Sequence, residues 1–185
     1  MDWVHRTRVA DGRAVLIRRA LHADEACIQR FMQSLSTQNR YQRFFHPLRE
    51  LTPAMVATIL QPDESRGCAL LAFASPAHGE VVGLAQYEVV EPRQAEVAVI
   101  VGENWRRVGL ATRLLSDIGM IAAAAGIADA YADILRDNAA ALMLARQLGC
   151  VVDTSSRAPY TLRVTRQMTL LLPSRQSVEL SLAKS

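Results

Sequence analysis

A single lysine, Lys184, stands in the whole chain against 20 arginines. No Gly-Lys-Ser/Thr triplet can therefore occur, which excludes the P-loop that cradles nucleotide phosphates. Glycine is scarce as well, 9 in 185 residues, and no stretch carries the three glycines of a dinucleotide-binding fingerprint. Cys27, Cys68 and Cys150 form an odd set without metal-ligand spacing, so reduced thiols and a cytoplasmic setting are expected instead of a disulfide framework. His5, His22, His46 and His78 fall in no metal spacing either, and no metal is expected. No apolar run reaches the ~18 residues of a membrane span, and residues 1–6 lack the apolar stretch of a secretion signal. The formal net charge of +3 is too small to argue for nucleic acid. The arginine excess is what a biased nucleotide composition produces. Whatever its origin, an enzyme that modifies lysines would find almost none on itself.

Half of the residues are hydrophobic and 21% charged, as in ordinary globular chains. The length suits one domain, read here as residues 1–173 with a loose tail at 174–185. Residues 13–19 (RAVLIRR) read as a strand after the turn signal Asp11-Gly12. Asp24 and Glu25 open a helix with Ile28, Phe31, Met32 and Leu35 at helical spacing. Residues 36–47 mix arginines with aromatics. Thr52-Pro53 starts a second helix, an N-cap followed by proline at the first helical position. Residues 68–74 and 81–90 read as strands joined by a hairpin loop. Residues 128–135 form another strand, Asp137-Asn138 caps a helix closed by Gly149, and 150–152 start a short strand. Residues 161–172 alternate apolar and polar side chains, as a half-exposed antiparallel strand does.

The middle of the chain, residues 95–126, organises the rest. It opens with a buried strand, AEVAVIV, then a polar break, Gly102-Glu103-Asn104. Trp105-Arg106-Arg107-Val108-Gly109-Leu110-Ala111 follows and leads into a helix whose Leu110, Leu114, Ile118, Ile121 and Ala125 keep one apolar face. Strand, glycine turn and helix start together make an anion site, because first-turn amides lack partners and the macrodipole adds positive charge there.

The spacing Arg106-x-x-Gly109-x-Ala111 in that setting resembles the pyrophosphate loop of the GNAT superfamily of N-acetyltransferases. The element order β, α, α, β, β, β, α, β, α, β, β also matches that family over residues 13–172. It implies an α/β (α+β) fold of GNAT type: a mixed, mostly antiparallel sheet of six to seven strands flanked by helices. The closest resemblance is to bacterial GNAT domains that acetylate protein lysines. Residues 39–45 (NRYQRFF), 95–101 and Asp137-Asn138 carry it.

The resemblance implies acetyl-CoA as cosubstrate and Glu96 as general base. Taken alone, Glu96 is either a solvated strand carboxylate or a cleft residue. The chemistry needs a base, since deprotonating a lysine-like amine of pKa ~10.4 at pH 7 costs about 4–5 kcal/mol. Backbone amides of Arg107, Val108, Gly109, Leu110, Ala111 and Thr112 are the expected donors to the CoA pyrophosphate, and Gly109 and Ala111 are small where phosphates approach. Arg106, Arg107 and Arg113 can add charge-assisted bonds. Many relatives have glycine at Arg107, so side-chain contacts there depart from the family pattern. Ile100 and Val101 are expected to offer backbone groups to the pantetheine arm, one of them to the oxyanion. Asn138 caps its helix and, by the resemblance, bonds to CoA. Glu103 reads as a surface residue outside the site. Where many GNAT enzymes keep a tyrosine as leaving-group acid, this chain has Ala145, and Tyr87, Tyr131 and Tyr160 read as core or rim residues. Arg40 to His46 forms either the acceptor wall or a core anchor.

Three functions remain: acetylation of a protein lysine, which is preferred; acetylation of a small amine such as a polyamine, amino acid or antibiotic; or acyl-CoA binding without catalysis. Glu96 argues against the third. A monomer or homodimer is expected.

Overall fold

The computed structural model describes residues 3–60, 63, 65–75, 79–156 and 158–168. Eight strands form one sheet: β1 (Val4–Arg8), β2 (Ala14–Arg19), β3 (Gly67–Ser75), β4 (Glu80–Glu91), β5 (Gln94–Val101), β6 (Asp129–Leu135), β7 (Val151–Val152) and β8 (Thr161–Gln167). Their order across the sheet is β1-β2-β3-β4-β5-β6-β8-β7. Every neighbouring pair is antiparallel except β5 with β6. The helices are α1 (Glu25–Ser34), α2 (Thr37–Phe44), α3 (Pro53–Ile59), α4 (Leu110–Ala124) and α5 (Ala139–Gln147).

Two elements exceed the sequence expectation. The first is β1, which raises the sheet from six or seven strands to eight. Its side chains alternate exposed and half-buried, so an edge strand carrying Arg6 and Arg8 shows no apolar stripe. The second is α2, eight residues long and without an aliphatic side chain. Its start is set by Ser36, whose hydroxyl accepts from the Asn39 amide at 3.1 Å, and its end by Phe45 in the left-handed region at φ +62°. The expected strand over 161–172 is seen as β8. Residues 169–172, the tail at 174–185 and hairpin residues 76–78 lie outside the described residues.

The sheet is packed on both faces. On one, Ile28, Phe31 and Met32 of α1 and Val56 and Ile59 of α3 bury against Leu71, Phe73, Leu84 and Ile100. On the other, Leu110, Leu114, Ile118 and Ile121 of α4 meet Leu70, Ala85, Tyr87 and Ala95. Ala122 completes that stripe, whereas Ala125 lies exposed past the helix end. An added Cβ at Gly83 would come 2.8 Å from Leu114 Cδ1, so glycine there lets α4 lie close on β4. A smaller cluster of Ile134, Ala145 and Val164 seats α5 on the same face as α4. The caps foreseen for α3 and α5 are present. Thr52 Oγ1 accepts from the Met55 amide at 3.3 Å, and Asn138 Oδ1 from the Ala141 amide at 3.1 Å.

Candidate active site at the opening of the sheet

β5 and β6 share only three register pairs, Gln94 with Asp129, Ala95 with Ala130 and Glu96 with Tyr131. Beyond them β5 stays with β4 as far as Val101, and β6 stays with β8 to Leu135. The two strands therefore part after Glu96 and leave a one-sided opening. Gly102 N–H donates to Val82 C=O at 2.9 Å on the β4 side. Because backbone groups alternate along a strand, those of Val97, Val99 and Val101 face the opening. Those of Ile100 face Leu84 across the β4 ladder. This corrects the expectation for Ile100: of the two residues, only Val101 faces the opening. Its C=O already accepts from Asn39 Nδ2 at 2.9 Å, which leaves its N–H.

The end of β5 passes through a 3-10 turn, Glu103–Trp105, to the head of α4. Contacts from the β1–β2 loop help to hold this stretch in place. Arg13 lies over the Trp105 ring, 3.8 Å from its centroid, and the Ala10 amide donates to Val108 C=O at 2.9 Å. Gly109 is the N-cap of α4, left-handed at φ +83°, and no side chain caps the helix. The first helical bond runs from the Arg113 amide to Gly109 C=O, 3.0 Å, so the amides of Leu110, Ala111 and Thr112 precede it and lack helical acceptors. A Cβ placed on Gly109 would meet nothing within 4 Å. Free amides, a dipole end and open space fit a pyrophosphate. Arg106 and Arg107 are exposed beside it. Arg107 is left-handed at φ +61°, a conformation that favours glycine. Arg113 points elsewhere: its Nε bonds to the wholly buried Asp117 at 3.3 Å and its Nη2 meets the His5 ring.

The opposite wall is built from side chains. Glu96 is half-buried where the strands part, and the Tyr131 hydroxyl donates to its Oε2 at 3.3 Å. Glu88 is its register partner on β4. Arg43, from the last turn of α2, lies within charge range of both carboxylates: burial pushes its guanidinium below the ordinary range, and the charges of Glu96 and Glu88 oppose that. The segment read as either acceptor wall or anchor has both packed and exposed side chains. Arg40 donates to the Met32 and Leu35 carbonyls at the end of α1, Phe44 packs against the core, and Tyr41 and Phe45 are exposed. Glu103 is tied in as well. Its Oε1 accepts from the Ser36 amide at 2.9 Å; burial would raise its pKa, but bonds from Ser36 and Asn39 hold it below the ordinary value. Ala145 is buried against Ile134 and Val164, so this position is core. Next to Glu88 a cleft of about 450 Å³ runs past Thr58, Arg66, Gly67, Val90 and Glu91.

Glu88 was not named by sequence reading; Asn39 and Arg43 were named only within residues 39–45, and Tyr131 only as a core or rim residue. Ser36 three residues before Asn39 was the available signal for α2. The rest depend on strand register, which one sequence does not contain. Among the described residues no group of three His, Cys, Asp or Glu comes together to hold a metal.

The acetyltransferase (GNAT) family profile matches residues 28–150. An acetyltransferase of Pseudomonas aeruginosa is 29% identical over 144 residues, covering 76% of this chain and 77% of that one. Among solved structures, the GNAT domain of S. lividans PAT superposes with a TM-score of 0.82 at 22% identity, covering 89% of this chain and 97% of that one. The Salmonella typhimurium protein yncA, solved with its cofactor acetyl-CoA, gives 0.66 at 20% identity over 83% and 94%. With a splayed parallel pair, an uncapped glycine-headed helix and this match over most of its length, the chain belongs to the GNAT acetyltransferase family.

Proposed function

We propose that this protein transfers an acetyl group from acetyl-CoA to a primary amine, preferably a protein lysine, by direct attack with Glu96 as general base. One observation carries the reading. Glu96 stands at the last β5–β6 pair, so its carboxylate lies at the mouth of an opening whose walls offer the free amides of β5 and the head of α4.

The amides of Leu110, Ala111 and Thr112, with Gly109 leaving room, would hold the CoA pyrophosphate. Arg106 and Arg107 lie close enough to add charge. Asn138 Oδ1 is used in its cap, and its Nδ2 is the group left for CoA. Val99 and Val101 present amides along the opening as an added strand would require. One of them would donate to the oxyanion as the amine nitrogen bonds to the thioester carbon. The C–S bond then breaks and CoA leaves as a thiolate. The proton lost by the amine goes to Glu96, directly or through a water. The thiolate, of thiol-like pKa ~8.5, leaves with help from water, since Ala145 supplies no acid.

The lysine acceptor is favoured by the likeness of residues 39–45 to lysine-acetylating GNAT domains. A small polyamine is the second reading, favoured by Glu88, the register partner of Glu96, and by Glu91 along the cleft next to Glu88. Acetyl-CoA turnover against peptides, polyamines and amino acids separates the two.

The mechanism is tested by Glu96→Gln. CoA binding should persist while turnover falls by roughly 10²–10³ at neutral pH. The deficit should shrink as pH nears the amine's own value of ~10, where the free amine needs no base. A deficit that stays constant with pH would make Glu96 structural. Mass spectrometry after acetyl-CoA alone should find no acetyl-enzyme. A transfer-competent adduct on Cys27, Cys68 or Cys150 would overturn direct attack.

A further inference from the structure

We propose that Tyr131, clamped by Arg163 and Asp133, positions the Glu96 carboxylate for proton transfer. The inference rests on the acetyltransferase reading with Glu96 as base.

Glu96 and Tyr131 are register partners in the last pair before the strands separate. The Tyr131 hydroxyl reaches Glu96 Oε2 at 3.3 Å, a loose bond of the kind that tightens once a substrate closes the site. It engages one carboxylate oxygen and leaves Oε1 for an amine or a bridging water. The donor is itself held. Arg163 lies over the Tyr131 ring, 4.0 Å from its centroid. Asp133 grips Arg163 at two points, Nε to Oδ1 at 3.0 Å and Nη2 to Oδ2 at 2.7 Å. Asp133 and Arg163 are also register partners, on β6 and β8. Base, phenol, guanidinium and carboxylate thus run across three neighbouring strands on the sheet face opposite α4. A planar, two-point guanidinium clamp leaves little freedom to the ring beneath it.

The charges around Glu96 explain why a clamp is useful. Glu88 on β4 brings a like charge, Arg43 on α2 an opposite one, and the Arg163–Asp133 pair stands behind Tyr131. Glu88 repels the Glu96 carboxylate, whereas Arg43 attracts it. A free glutamate side chain could turn toward Arg43 and away from the opening; the Tyr131 bond keeps it at the mouth. Burial first, then the charge of Glu96, push the Tyr131 phenol above its ordinary value, outweighing Arg163. Tyr131 therefore stays protonated, as a donor must, throughout the range in which Glu96 works.

Tyr131→Phe removes the hydroxyl and keeps the ring under Arg163. The full chain carrying this change should lose about tenfold in kcat and keep its Kd for CoA within twofold. The acidic limb of its kcat/KM profile should move to higher pH, because a bond to the ionised carboxylate is gone. Adding Tyr131→Phe to Glu96→Gln should cost nothing further, since Tyr131 acts through Glu96. Three results would overturn the proposal. Wild-type kcat with an unmoved acidic limb in Tyr131→Phe would leave the hydroxyl without a part in the reaction. Losses that add in the double variant would give Tyr131 an independent role. A loss uniform across pH with a lowered Tm would make it structural. Glu96→Gln alone separates this from failure of the base reading: if that variant keeps full turnover at neutral pH, the base assignment falls first and the positioning role with it.

Discussion

The two walls of the opening are made of different material. The wall from Val97 to Thr112 presents main-chain amides and one left-handed glycine. The facing wall presents side chains: Arg43 from α2, Glu88 from β4, Glu96 from β5, Tyr131 from β6 and Arg163 from β8. A backbone wall depends on local conformation, so it accepts many side chains but few backbone changes. A side-chain wall depends on the register of distant strands, so single atoms matter and a helix several turns away can disturb it. The first kind suits a ligand common to a family, the second an acceptor that varies between its members.

The sharpest contrast is expected at Asn39, which joins the two walls. Its side chain is 5% exposed and donates to Val101 C=O, and α2 carries Arg43 one turn further on. Asn39→Ala leaves a carbonyl without its donor and loosens the helix that brings Arg43 to Glu96. A loss of about 2 kcal/mol is expected, the cost of stranding a buried polar group, read from urea denaturation. KM for the acceptor should rise while the Kd for CoA changes little. If stability moves by less than ~0.5 kcal/mol, the bond is surface decoration.

Gly109→Val tests the backbone wall. A β-branched residue at φ +83° is strained, and its methyls would enter the open space assigned to phosphate. The Kd for CoA should rise at least tenfold, about 1.4 kcal/mol. Calorimetry that finds unchanged affinity would remove the anion site from this turn.

The same division explains what could be read before the fold was known. Gly109, Ala111 and the stripe Leu110, Leu114, Ile118, Ile121 lie in one continuous stretch, so turn chemistry and period sufficed. Glu96 stands out as a carboxylate in an apolar strand, but its role as base came from the family resemblance and not from any local pattern. Ile100 was misassigned because only pairing with β4 tells which amides of β5 face outward. Tyr131 read as core or rim, since its partner lies 35 residues away and on another strand. α2 was missed because eight polar and aromatic residues carry no aliphatic period; its cap, Ser36, was the only local signal. β1 was missed for a related reason, an edge strand whose half-buried side chains are His5 and Thr7 in place of aliphatics.

The smallest effect separates backbone from side chain at one residue. Arg107 is left-handed at φ +61°, which costs an L-residue roughly 1–2 kcal/mol, while glycine costs about 0.5–1 kcal/mol in unfolded-chain entropy. Arg107→Gly should therefore stabilise the fold by roughly 0.5 kcal/mol, a rise in Tm of about 1–2 °C for a domain of this size. Its effect on CoA decides what the wall is. If the amide alone serves, affinity stays within twofold and the arginine is a tolerated strain. If the guanidinium reaches a phosphate, a charge-assisted bond of about 1.5–3 kcal/mol is lost and the Kd rises by tenfold or more. The first outcome is expected, because Arg107 is exposed at a position where the fold asks for glycine. The second would show that this chain has added a side-chain contact to a wall built of main chain, and that the strain at Arg107 is kept for that contact.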